Sequence, residues 1–287
     1  ECVGRVPLIR HTMELLQFQH GNAKIPKPLI FSILSGVNCP FAHLCHSRAF
    51  PDAPAGEKVR YFAVEQGLEG AFGCYSAGEE AQYPNVYGIR KRNSDLLKQA
   101  ASLGHDQFTR TTMMVELLDE SIKAADPGCK HERVRVHVGG DFYSYEYMWA
   151  WLRVAERHPN RTFYAYTKSL PFWLQHHIES HIPDNFTLVA SSGGRADHYI
   201  DEYPDIFKVV SHVVLDPNDP EQHKYPAEHG EDEMCFQESG HFDLILHGRQ
   251  PQGPLSKQAK KNHDENWGYS KKNLKSRRQK VKQTVTA

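Results

Sequence analysis

From residue 133 onward the chain repeats one unit: a short strand-like run, a polar corner, and a stretch with helical spacing. Arg133 to Val138 alternates Val134 and Val136 with polar side chains and ends at Gly139-Gly140-Asp141. A helix is predicted next, at about 144–157, with Trp149, Trp151, Leu152, Val154 and Ala155 among its apolar positions. Thr162 to Thr167 alternates Phe163 and Ala165 against Tyr164 and Tyr166, then enters a helix whose first turn tolerates Pro171. Phe186 to Ala190, the corner Ser191 to Gly194 and a helix at about 196–203 repeat the pattern. Further strands are predicted at about 209–215 and 242–247, and an earlier one at 30–35. Repeated βα units favour a parallel sheet with right-handed crossovers. The predicted fold is therefore α/β: a parallel βα partial or complete TIM-like barrel of about six to eight strands.

Upstream the pattern is looser. Residues 6–20 suggest a short helix, and Pro26-Lys27-Pro28 forces an extended lead into the first strand. Residues 37–73 read as a long irregular passage with Pro40, Pro51 and Pro54. Helices follow at about 84–103 and 107–125, the second stopped by Asp126-Pro127-Gly128.

In sheets of this kind the chemistry gathers beyond the carboxyl ends of the strands. After the first strand come Cys39, Cys45 and Cys74, thiolates suited to zinc or an iron–sulfur cluster. Their Cys-x5-Cys-x28-Cys spacing is neither a paired zinc knuckle nor a ferredoxin run. Three thiolates on a four-iron cluster leave one iron for a substrate or cofactor; His43, His46 or Cys235 is available as a fourth ligand. After the second strand, Gly139 and Gly140 permit a close backbone approach and Asp141 is a base, a nucleophile or a holder of an amine. The alternative for Asp141 is capping of the next helix, for which Ser144 competes. Lys168 follows the third strand, placed to pair with Asp141 or a phosphate. Ser192, Gly193 and Arg195 belong to a small-residue corner resembling an anion-cradling nest. His247 beside Arg249 ends the last strand as an acid/base candidate, whereas His137, inside its strand, reads as structural. The dense aromatics between Tyr143 and Trp173 read as core packing.

Composition bounds these readings. With 39% apolar and 24% charged residues, the chain of 287 resembles an ordinary folded protein. No run approaches the roughly 18 apolar residues of a membrane helix, and no membrane partner is expected. Glu1-Cys2-Val3-Gly4 opens without a signal-peptide pattern, so the six cysteines are expected as reduced thiols in the cytoplasm. Charge is asymmetric: residues 256–287 carry ten Lys/Arg against two Asp/Glu. With the whole chain at −1, that segment is +8 and the remaining 255 residues are −9. We therefore divide the chain into a barrel-like domain, 1–255, and a basic tail, 256–287, able to contact nucleic-acid phosphates.

Six stretches together resemble the phage gene product 88 domain family. They are Asn38-Cys39-Pro40 to Cys45; Cys74 to Ala77 with Tyr83 to Val86; Arg135 to Phe142; Phe163 to Leu170; Ile182 to Asn185; and Leu246 to Pro251. If the chain is phage-encoded, its compartment is the host cytoplasm. More distantly, cysteines after the first strand and Gly-Gly-Asp after the second are similar to radical S-adenosylmethionine enzymes. Those carry three cluster cysteines and a Gly-Gly-Glu on a six-stranded partial barrel. That resemblance implies a four-iron cluster on Cys39, Cys45 and Cys74, with Asp141 placing the amino group of S-adenosylmethionine. The chain departs from it in lacking the tight CxxxCxxC loop. The expected function is a phage-type, metal-dependent enzyme with a cysteine-bound iron–sulfur cluster and a small-molecule cofactor or substrate, its reaction left open. The alternatives are a zinc-containing enzyme that modifies nucleic-acid bases and a non-catalytic binding protein.

Overall fold

The computed structural model describes residues 13–22, 25, 27–43, 45–49, 62–64, 74–214, 227–228, 241–245, 257 and 261. All six strands predicted from sequence are present, in a sheet that is parallel except at one edge. In chain order the strands are β1 (Gln19–His20), β2 (Leu29–Phe31), β3 (Ser47–Ala49), β4 (Phe62–Val64), β5 (Arg133–Val136), β6 (Thr162–Thr167), β7 (Phe186–Ser191), β8 (Val209–Val214), β9 (Ala227–Glu228) and β10 (Phe242–Ile245). The helices are α1 (Tyr75–Gln82), α2 (Pro84–Ser102), α3 (Gln107–Ala125), α4 (Tyr145–Arg157), α5 (Leu170–Glu179) and α6 (His198–Glu202).

The main sheet runs β1-β2-β5-β6-β7-β8-β10-β9, and β3 with β4 forms a separate hairpin. β1 is antiparallel to β2; every other neighbouring pair in the main sheet is parallel. From β2 to β8 the spatial order follows the chain order, so each strand end lies beside the next one made. Right-handed crossovers in such a sheet set the connecting helices on one face. The packing agrees: Phe31, Val134, Val136, Phe163, Ala165, Leu188 and Ala190 share one core with residues of α2, α3, α4 and α5. The alternate positions Tyr164 and Val189 belong to a second cluster with Phe242, flanked by Tyr166 and Leu244. The buried Arg135 guanidinium lies on this second face, 4.3 Å from the Tyr166 ring centroid and 5.2 Å from that of Tyr164.

Two expectations fail upstream. The predicted helix at 6–20 is not formed over its described part: residues 13–18 are irregular and Gln19–His20 is a strand. The segment runs extended across α2 and α3, where side chains take its backbone donors. Leu16 N–H bonds Ser121 Oγ (3.0 Å) and Gln17 N–H bonds Asn93 Oδ1 (2.9 Å). The passage read as irregular contains the β3–β4 hairpin, and α1 follows it unforeseen. The domain boundary at residue 255 and nearly all of the basic tail lie outside the described residues.

Candidate functional site

The polar corners after β2, β5, β6 and β7 meet along one rim. β2 is followed by a loop bearing Cys39, and Asn38 anchors it, its Nδ2 donating to Leu34 O (3.1 Å) and Ser94 Oγ (2.9 Å). Gly36 turns the loop at φ +72°. Asn38 O accepts from Asp141 N–H (3.1 Å), which ties the loop to the corner after β5.

In that corner both glycines serve the chain's own packing. At Gly139 a Cβ would meet Ser76 Oγ and come within 2.9 Å of Arg90 Cζ. Gly140 has φ +84°, and a Cβ there would strike Ile33 Cγ1. Asp141 is not the helix cap: Ser144 Oγ takes that role, accepting from Tyr147 N–H at 3.2 Å. The buried Asp141 carboxylate instead accepts three hydrogen bonds. Oδ1 receives Thr167 Oγ1 (2.6 Å) and Phe142 N–H (2.7 Å), and Oδ2 receives Lys168 N–H (2.8 Å). Burial pushes its pKa up to about 6 despite these donors and the nearby Lys168 charge.

Lys168 is buried and directs its ammonium to Ser191 O and Ser191 Oγ, both at 2.9 Å, and to Ser192 O. It thereby joins the ends of β6 and β7. The corner predicted to cradle an anion does hold a carboxylate, supplied by the chain. Asp197 Oδ2 accepts from Gly193 N–H (2.7 Å) and Oδ1 from Gly194 N–H (2.9 Å). The Arg195 side chain is exposed, while its N–H donates to Phe41 O (2.8 Å).

The three cysteines are free thiols, half-buried in one neighbourhood. Burial, then the charges of Asp141, Cys74 and Cys45, raises the Cys39 thiol well above the usual range. Cys74 is pushed up to about 12, first by burial and then by Cys45. Against this, Cys74 caps α1, its Sγ accepting Ala77 N–H at 3.5 Å. A helix N-terminus favours thiolate over thiol. Cys39 thus lies beside Asp141, with Cys45 and Cys74 close to Cys39, although among the described residues no three His, Cys, Asp or Glu side chains are arranged to hold a metal ion. His247 and Cys235 lie outside the described residues.

A buried ion pair, absent from the sequence reading, lies near Cys74. Glu80 Oε1 accepts from Ser35 N–H (3.0 Å), Ser35 Oγ (2.9 Å) and Arg90 Nη1 (3.1 Å). Arg90 Nη1 also reaches Ser76 Oγ (2.7 Å), the atom packed on Gly139. Burial raises the Glu80 carboxyl, with Arg90 opposing. His137, at φ +67°, has its Nε2 2.9 Å from Tyr147 Oη; burial, then Arg135, lowers its pKa to about 3. This is a packed, neutral imidazole.

A family model described as Gene product 88 matches residues 10–267. The chain is similar to the Gene 88 protein of Mycobacterium phage L5, 32% identical over 95 residues, which is 33% of this chain and 38% of that protein. The Gene 88 protein of Mycobacterium phage D29 is 30% identical over the same shares. The alignments thus span well under half the length of these curated relatives. No solved structure matches the chain. Among the described residues no helix is long and apolar enough to cross a membrane.

Proposed function

This chain belongs to the gene product 88 family, and we propose that its rim site is a cysteine-bound iron–sulfur centre on a partial βα barrel. The observation that carries the reading is the closeness of Cys39, Cys45 and Cys74 to one another, with Cys39 also beside the Asp141 carboxylate, whose backbone N–H bonds the neighbouring Asn38 O. Thiolates are the ligands such clusters use. A single zinc ion, at about 2.3 Å from each sulfur, needs its thiolates within about 3.8 Å of one another. A four-iron cluster binds each thiolate at a different corner iron, so the thiolate sulfurs sit farther apart than those around one zinc ion.

Cys39, Cys45 and Cys74 would hold three irons of a four-iron cluster, which would leave the fourth free to take a small molecule with oxygen and nitrogen donors. Asp141 supports such a ligand, because a carboxylate has about four acceptor positions and three are filled here. The fourth suits an amino group, and S-adenosylmethionine is one small molecule that carries it. Lys168, Thr167 and Asn38 hold Asp141 in place.

Anaerobic purification followed by iron, acid-labile sulfide and visible-absorption measurements tests the proposal. The expected result is a brown protein with about three to four irons per chain. A colourless, iron-free protein under those conditions overturns it, and stoichiometric zinc replaces it with the zinc reading.

A further inference from the structure

Hydrogen bonds around the rim close into a ring that begins and ends on the loop bearing Cys39. Asn38 O accepts from Asp141 N–H, and Asp141 Oδ2 accepts from Lys168 N–H. Lys168 Nζ donates to the carbonyls of Ser191 and Ser192. Two residues on, Gly194 pairs with Ala42 in an isolated antiparallel bridge, and Arg195 N–H donates to Phe41 O. Ala42 N–H returns to Cys39 O (3.2 Å).

The side chain that shapes the last link is Asp197. Its two oxygens take the consecutive N–H groups of Gly193 and Gly194, which fixes the direction of both peptides. Gly193 has φ +84°, and a Cβ at Gly194 would lie 3.1 Å from both Asp197 Oδ1 and Phe41 O. Successive N–H groups turned to one side form a nest that elsewhere receives an external anion. Here the nest is satisfied internally, and the neighbouring edge at Gly194 and Arg195 is presented to the cysteine loop.

We propose that Asp197 is a positioning residue for Cys39: by gripping the corner after β7, it fixes the edge on which residues 41–42 dock and so holds the Cys39 turn. This part rests on geometry alone. Its consequence for an iron centre rests on the reading given above.

The test is residue-resolved thiol labelling of the reduced, metal-free full chain. Exposed Cys129 serves as the internal reference, and Cys74, held at the start of α1, as the control for general loosening. In Asp197→Ala the labelling rate of Cys39 should rise about tenfold while Cys74 stays within about twofold, as local opening of one loop requires. Asp197→Asn, which keeps an acceptor, should fall between; if the alanine variant does not fold, the asparagine variant decides by the same comparison. An unchanged Cys39 rate, or Cys39 and Cys74 rising together, overturns the proposal. A parallel measurement follows iron loss to a chelator, expected to be faster in Asp197→Ala. Wild-type protein that takes up no iron defeats the cluster reading and leaves labelling to judge Asp197. Wild-type protein that binds iron, with Cys39 labelled equally in both chains, defeats the role of Asp197.

Discussion

Lys168 serves Asp141 through its backbone: its N–H lies 2.8 Å from Asp141 Oδ2, while its ammonium is taken by Ser191 and Ser192. The pairing expected between the two residues is thus made by the main chain. The charge instead ties two strand ends together, and the carboxylate stays beside Cys39.

Asp141→Asn should destabilise the fold by about 1–3 kcal/mol, because the new amide sets a donor against one of the donors now bonded to the carboxylate. Urea unfolding at neutral pH measures it; an unchanged midpoint and slope would show that the corner rearranges freely.

Gly139→Ala should cost more than an exposed glycine substitution, on the order of 2 kcal/mol or above, since the methyl group displaces Ser76 and Arg90 from a packed position. Gly88→Ala, whose Cβ meets nothing within 4 Å, is the matched control within a helix and should be neutral or stabilising. Equal effects at the two sites would contradict the packing described.

Arg90→Met leaves Glu80 buried at 2% exposure without its cation and should cost about 3–5 kcal/mol. Adding Glu80→Gln should recover a large part of that loss. A double-mutant cycle on thermal unfolding decides, and strict additivity would rule out the coupling.

Asp126 contributes to acid stability. Burial alone would raise its pKa, but the N–H groups of His131 and Lys130 and the Arg161 guanidinium outweigh it and hold the value at about 2. Since the unfolded value is about 3.9, ionised Asp126 stabilises the fold above about pH 4, and the contribution fades as pH falls toward about 2. Asp126→Asn should therefore cost about 2 kcal/mol at pH 7 and far less near pH 2.5. Equal penalties at both would remove the linkage.

Cys39→Ser, Cys45→Ser and Cys74→Ser should each deplete iron in anaerobically purified protein, whereas Cys129→Ser, at an exposed site, should leave it unchanged. Iron content and absorption measured on the four variants check this; retention of full iron in any of the first three removes that residue from the ligand set.

The sheet was legible because β5 alternates Arg and Val, β6 and β7 are short runs rich in aromatic, β-branched and other apolar residues, and all three end in glycine, serine or lysine corners. That Cys39 falls near Asp141 was legible from the placement of their loops at the ends of neighbouring strands. What escaped notice depends on distant partners. Leu15 and Leu16 look helical until Ser121 and Asn93 claim the backbone of residues 16–17. α1 carries Gly78 and begins at a cysteine cap, so neither its spacing nor its start advertises a helix. Glu80 and Arg90 read as surface charges in a linear chain, and their burial follows from Gly139 making room for Arg90. Asp197 had a faint local signal, an acidic side chain just beyond paired glycines, where short acids commonly bond nearby backbone.

The monotonic strand order has a consequence for biogenesis. Cys39 leaves the ribosome long before Asp197; at about 5–20 residues per second the delay is on the order of ten to thirty seconds. Throughout that interval the thiols exist on a nascent chain whose clasp has yet to be synthesised. Any iron or sulfide donor working co-translationally meets them unfastened, and one working afterwards meets them already set.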